Sequence, residues 1–364
     1  MEKYQLEKVF FSRNAVLSED KIRQFRDLVN PNSDKSPFSK FVGNSKAIQK
    51  LSVVAFNSLH RYNHSCRDIS FAITGPASSG KTTLVRLFSE ILQIPVAEIS
   101  PKSVSSLDDL TDQIANAFLS SNIELTELKD KYYCLPPCIV FIDEVHALKN
   151  SVVQGLLKAT EPKDSILVTE SGLTIDCFNV CWIIATTDIG KLFDAFRTRF
   201  SLIELKYLTK KEVARIVKIN HPEFSDQVCG LISHYNPKIP RKALEFSKYV
   251  TLYKKMNPEK NWDEVCSIVA ENEGIDKYGM HESYLAVLKV LASHKTVSLK
   301  RLPYYLNRKI EEIESSILPW LMAESEEQAS LVSIGPKGLS LTKSGIQELK
   351  KRNLLRKKGV YNEV

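Results

Sequence analysis

Between Phe38 and about Leu205 the chain alternates short apolar runs with segments of helical spacing. The runs at 71–74, 96–99, 138–142, 181–186 and 202–205 read as strands. The run Cys138-Ile-Val-Phe-Ile142 is apolar at every position, as a parallel strand covered on both faces must be. Such alternation predicts an α/β domain, a parallel sheet with crossover helices on both faces. Between the last two long runs, 165–176 has two alternating arms around Glu170-Ser-Gly172, which predicts a β-hairpin projecting from the sheet. From Thr209 the strand signal stops. Amphipathic segments such as 210–219 and 241–253 then predict a small helical unit that ends near Gly274. Beyond it, helices at 281–293, 299–306 and 308–323 precede two strands, 331–334 and 339–342, around Gly335-Pro-Lys-Gly338. Helices followed by a hairpin in that order describe a winged helix-turn-helix. The N-terminal stretch predicts a helix at 18–29 and a polar linker at 30–37. These shifts divide the chain into an arm and linker (1–34), a large domain (35–206), a helical lid (207–274), a winged helix (275–349) and a tail (350–364). There is no internal repeat or low-complexity segment.

The candidate chemistry lies at strand ends. Gly75, Pro76, Ala77, Ser78, Ser79, Gly80, Lys81 and Thr82 spell G-x-x-x-x-G-K-T after the strand at 71–74, and a segment of helical spacing opens at Thr83. Glycines permit the backbone angles and close approach that a phosphate requires, and successive N–H groups of the loop and helix N-terminus point at it. Lys81 adds a mobile cation for the β- and γ-phosphates, the Thr82 hydroxyl suits Mg²⁺, and Thr83 joins the loop residues expected to bind the nucleotide. Asp143 and Glu144 end the run at 138–142, where ligands of an open α/β sheet bind. Asp143 is placed to hold the Mg²⁺ and Glu144 to deprotonate the water that attacks the γ-phosphate. Together the two elements predict a site that binds and hydrolyses a nucleoside triphosphate.

The phosphate loop, Phe141-Ile-Asp-Glu-Val-His-Ala-Leu148, Ile184-Ala-Thr-Thr-Asp188, Phe196-Arg-Thr-Arg-Phe200 and Ile239-Pro-Arg241 occur in the order of an AAA+ ATPase. With the C-terminal winged helix, the chain from about Phe38 to Leu349 resembles the RuvB family, the bacterial Holliday-junction branch-migration motors. The resemblance implies an AAA+ P-loop ATPase domain with lid and winged helix, using ATP and Mg²⁺. It implies that Thr187 is sensor 1, Arg197 the arginine finger with Arg199 as fallback, and Arg241 sensor 2. It also implies that Phe41 and Val42 lie against adenine. Assembly would be a head-to-tail ring, a hexamer, acting on duplex or four-way-junction DNA without sequence preference. Ala77 and Ser78 stand where the family usually has Pro and Gly, and the hairpin at 165–176 is shorter than the one the family uses to grip its protein partner. A loader that assembles a partner on DNA, or a regulatory nucleotide-binding module, shares the same motifs.

The charge distribution directs the DNA reading to particular residues. The 364-residue chain carries a net charge of +7, which is mild. The third helix of the winged region contains Glu311, Glu312 and Glu314, a poor surface for phosphates. Lys300, Arg301, Arg308 and Lys337 are better candidates, with contacts to the backbone rather than to bases. Lys350, Lys351, Arg352, Arg356, Lys357 and Lys358 form a basic run that reads as a solvated tail able to rest on phosphates. Seven cysteines, spread without a small-scaffold pattern, fit a reducing compartment. The pairs Cys134/Cys138 and Cys177/Cys181 raise a zinc site, but Cys138 and Cys181 sit in core-like runs. No apolar run approaches the ~20 residues that span a bilayer, so a soluble, cytoplasmic protein is expected.

Overall fold

The computed structural model describes residues 19–60, 70–119, 126–129, 131–161, 165–324 and 329–355. They form two compact units, 1–206 and 207–364. The sheet of the first unit has five strands, β1 (Phe71–Thr74), β2 (Val96–Ile99), β5 (Cys138–Ile142), β8 (Val180–Thr186) and β9 (Ser201–Glu204), in the order β2-β5-β8-β1-β9. Every pairing in it is parallel. Period-2 alternation sends successive side chains to opposite faces. Phe71, Ile73, Ile139, Phe141, Cys181 and Ile183 join one apolar cluster, while Ala72, Val140, Ile142, Trp182 and Ile184 join the other. Helix α3 (Lys81–Leu92) covers the first face with Leu84, Phe88 and Ile91. Helix α4 (Leu107–Leu119) covers the second with Leu110, Ile114 and Phe118, one stripe at helical spacing. Cys138, Cys177 and Cys181 are buried in this core, and burial pushes the Cys177 thiol up.

The N-terminal helix α1 (Glu19–Val29) is no detached arm. Its Phe25 and Val29 are buried in the first cluster beside Ile48 and Leu51 of α2 (Ser45–His60), and the Ser36 hydroxyl donates to the Leu28 carbonyl at 2.6 Å. Residues 1–18 lie outside the described part of the chain.

The hairpin at 165–176 forms as β6 (Ile166–Val168) and β7 (Thr174–Asp176), but it does not project freely. It belongs to a second, four-stranded sheet with β3 (Thr126–Lys129) and β4 (Tyr132–Cys134), strands the apolar pattern does not signal. Its tip is clasped to the start of α4. The Glu170 carboxylate accepts from the N–H groups of Leu107 (3.1 Å) and Asp108 (3.3 Å), while Asp108 accepts from the Ser171 hydroxyl (2.6 Å) and N–H (3.2 Å). Ser106 caps the third N–H, that of Asp109, at 3.1 Å. Two of the donors that a helix start leaves unpaired are thereby satisfied from the hairpin and a third by Ser106.

In the second unit, helices at Lys210–Asn220, Asp226–Tyr235, Pro240–Met256 and Trp262–Asn272 surround a cluster that includes Val213, Val217, Ile232 and Val265. A further cluster, with Val287, Leu291, Ile313, Ile317 and Leu339, lies under the winged portion. That portion comprises α11 (Glu282–His294), α12 (Leu302–Leu306), a third helix over 310–322 (α13) and the antiparallel strands β10 (Thr296–Val297), β12 (Gly338–Leu341) and β11 (Val332–Gly335). Helix α13 contains a π turn at Ile313–Ile317 just before Pro319, whose ring cannot face an ordinary i−4 carbonyl and which offers no N–H. The helix Lys343–Lys351 extends into the supposed tail. Arg352, its side chain 4% exposed, donates to Asp276 at 2.6 Å and to Glu348, so it is not free to meet phosphates. Arg356, Lys357 and Lys358 lie outside the described residues. No described helix is long and apolar enough to cross a membrane.

Candidate active site

Three neighbouring strands, β5, β8 and β1, deliver the site residues at their carboxyl ends. The loop after β1 leads into α3 through Gly80, whose φ of 93° lies in the region that favours glycine and which leaves the helix start without a side-chain cap. A Cβ on Gly80 would come 3.0 Å from the Phe41 ring, and one on Gly75 would come 2.8 Å from the Leu205 carbonyl oxygen. The backbone of Leu205 thus excludes a side chain at Gly75, and the positive φ and the tight approach of the Phe41 ring disfavour one at Gly80. Ser78 holds a left-handed φ of 63°, a strain of about 1 kcal/mol for a residue with a side chain. Lys81 is buried. Its ammonium donates to the carbonyl oxygens of Gly75 (3.1 Å) and Pro76 (3.2 Å) and stands 3.9 Å from Glu144 Oε1.

The Thr82 hydroxyl donates to Asp143 Oδ2 at 3.4 Å, bringing together the two groups assigned to Mg²⁺. Hard oxygen donors of this kind suit that ion. The Ser79 hydroxyl is buried with no hydrogen-bond partner among the described residues. Uncapped helix donors, the enclosed ammonium and this orphan hydroxyl together fit a triphosphate.

Glu144 has a left-handed φ of 51°, an uncommon conformation for a residue other than glycine. Its Oε2 accepts from the Thr187 N–H and hydroxyl, both at 3.3 Å. His146 Nδ1 lies 3.3 Å from the same oxygen and 2.9 Å from Thr186 Oγ1. The Thr186 hydroxyl also lies within hydrogen-bond distance of the Asp188 carbonyl (3.2 Å) and accepts from the Asp188 N–H (3.0 Å), so the His146 ring is tied to the turn after β8. The sequence pattern gives His146 no role, although a ring two residues beyond Glu144 is the available signal.

Of the remaining assigned residues, Phe41 lies against the phosphate loop at Gly80. Arg197 is exposed and pairs with Asp194 on its own turn at 2.9 Å, whereas half-buried Arg199 reaches Glu161 at 3.6 Å. Arg241 is exposed near the start of the helix Pro240–Met256 and belongs to the other unit. Lys300, Arg301 and Lys337 are exposed with no ion pair among the described residues, but Arg308 is engaged with Glu312 and its charge is shared. The thiols raised as zinc ligands form no metal-holding cluster among the described residues.

The chain matches the model of the ATPase family associated with various cellular activities (AAA) over residues 71–207. It is 27% identical over 338 residues to the Holliday junction branch migration complex subunit RuvB of Mycoplasmopsis pulmonis, covering 86% of this chain and 96% of that protein. The RuvB subunit of Campylobacter hominis is 24% identical over 359 residues, covering 93% and 96%. Among solved structures, the Thermotoga maritima RuvB motor superposes with a TM-score of 0.66 at 22% identity, covering 86% of this chain and 96% of that one. That last likeness speaks for the fold.

Proposed function

We propose that this chain, a divergent RuvB-like AAA+ ATPase, is an ATP-hydrolysing motor that works as a ring of its own copies on branched DNA. The observation that carries this reading is the convergence of Lys81, Thr82, Asp143, Glu144 and Thr187 at the ends of adjacent strands. It occurs in a chain that aligns with branch-migration subunits along nearly their whole length.

Each residue has a task in phosphoryl transfer. Lys81 and the N–H groups of the loop bind the β- and γ-phosphates. Thr82 and Asp143 would hold Mg²⁺, whose charge offsets that on the phosphate oxygens. Glu144 accepts a proton from the attacking water. Thr187 and His146 keep its carboxylate in one orientation. Arg197, exposed on a short helical turn, would complete the γ-phosphate site of the next copy, and a hexameric head-to-tail ring supplies that geometry. Arg241 would report the γ-phosphate to the second unit, and Phe41 and Val42 would flank adenine. Lys300, Arg301 and Lys337 would hold DNA phosphates, with Arg308 a weaker contributor because of Glu312. Val168, 43% exposed on the hairpin, offers an apolar spot for a protein partner, which would meet the hairpin in its clasped form.

The test is the steady-state ATPase rate without DNA, with linear duplex and with a four-way junction at one salt concentration. The rate is expected to rise with DNA and most with the junction. Equal rates in all three would overturn DNA as the trigger of turnover.

A further inference from the structure

The short helix α12 of the winged portion faces solvent with groups that ordinarily avoid it. Leu302 is its buried anchor at 0% exposure, while Tyr304 is 88% and Tyr305 46% exposed. No other large hydrophobic side chain among the described residues is as exposed as Tyr304. The Tyr305 ring leans on His294, with centroids 4.6 Å apart, and so is braced from behind; no ring packs against Tyr304 among the described residues. Lys300 and Arg301 precede the pair, and Lys309 follows it after the left-handed turn at Asn307. All three cations are exposed and none has an ion pair among the described residues. The nearest acids in sequence belong to α13: Glu312 is taken by Arg308, while Glu311 and Glu314 are exposed.

We propose that α12, rather than the acidic third helix, is the nucleic-acid surface of this domain, and that Tyr304 stacks an unpaired base while Lys300, Arg301 and Lys309 hold the adjoining phosphates. The inference rests on the DNA reading above and specifies its substrate class as DNA with unpaired bases, a single strand or the open centre of a branch. An aromatic face between free cations meets both needs of a single strand, since every base offers a π-face and every nucleotide a negative charge. Paired bases in a continuous duplex have no free face for Tyr304. The carboxylates of α13 would repel phosphates if that helix were laid in a groove, which favours its neighbour as the contact.

The experiment measures binding of the full-length chain, with a slowly hydrolysed ATP analogue, to a fluorescent thymidine 20-mer and to a blunt duplex. The variants are Tyr304→Ala, Tyr304→Phe and a Lys300→Glu/Arg301→Glu pair. Tyr304→Ala is expected to weaken single-strand binding by about 5- to 150-fold, the worth of one stacked base, with duplex affinity and the salt slope unchanged. Tyr304→Phe keeps the ring and should bind like the parent, which also guards against misfolding as the cause. The charge-reversed pair should weaken both ligands and flatten the salt dependence. Equal loss on both DNAs for Tyr304→Ala, or no loss on either, overturns the stacking role while the DNA reading stands. No loss for any variant assigns the patch to a protein contact instead. Failure of the parent chain to bind either DNA overturns the DNA reading together with this inference.

Discussion

Glu144 is held by several donors on one oxygen and faces Lys81 with the other. Replacing it with Gln keeps the shape and removes the base. Turnover should fall by about 100-fold or more, while ATP affinity, read by fluorescent-nucleotide binding, stays near that of the parent. Retained turnover would show that another group accepts the proton. Thr187→Val and His146→Ala remove side chains that touch that carboxylate and leave the phosphate loop intact. Each is expected to lower kcat by about tenfold to a hundredfold through misplacement of the base, with little change in KM for ATP. A rise in KM at constant kcat would place these residues in nucleotide binding instead.

At the scale of elements, two devices join pieces that are distant in sequence. Glu170 supplies acceptors to the first N–H groups of α4 from the hairpin tip. Glu170→Ala should therefore speed amide exchange at Leu107 and Asp108 and around Gly172, and cost about 0.5–1 kcal/mol as a lost cap does. Exchange confined to the hairpin would show that the helix start does not depend on it. In the second unit Lys238, 4% exposed, donates to the Ala323 carbonyl at 3.0 Å and to that of Trp320 at 3.4 Å, and lies over the Trp320 ring at 4.9 Å. Burial lowers its pKa from 10.5 to about 8. Between those values the unfolded chain binds more protons than the folded one, so this residue adds stability as pH rises from 8 to 10.5. Below pH 8 it costs about 3 kcal/mol at ~1.4 kcal/mol per unit. The difference in unfolding temperature between the parent and Lys238→Met should change in the parent's favour across that window. A constant difference would show that Lys238 titrates normally.

These devices also mark where sequence reading stopped. The core strands were legible because a strand covered on both faces must be apolar throughout, and β5 and β8 are buried at every position. Strands β3 and β4 were missed because Thr126-Glu-Leu-Lys129 and Tyr132-Tyr-Cys134 carry no such run. The clasped hairpin and the buried Lys238 depend on contacts across 62 and 85 positions, which no local pattern encodes. Arg352 looked like one cation of a tail because charge alone does not reveal burial against Asp276 and Glu348. Within the site, the phosphate loop, Asp143 and Glu144 were legible from spacing. The bracing of Glu144 by His146 required the turn after β5 to be folded.

For the whole molecule, the account describes an ATPase unit followed by a second unit that carries Arg241 and the winged surface. If ATP turnover drives DNA through a ring, nucleotide hydrolysis and DNA movement must be coupled, and losing Glu144 must stop both. The most direct measurement is branch migration itself. A synthetic four-way junction with homologous arms and a fluorescent label is incubated with the chain, ATP and Mg²⁺, and its resolution into duplex products is followed over time. The account predicts products that depend on ATP, that are absent with Glu144→Gln, and whose rate follows the ATPase rate. ATP hydrolysis on the bound junction without any products would contradict it.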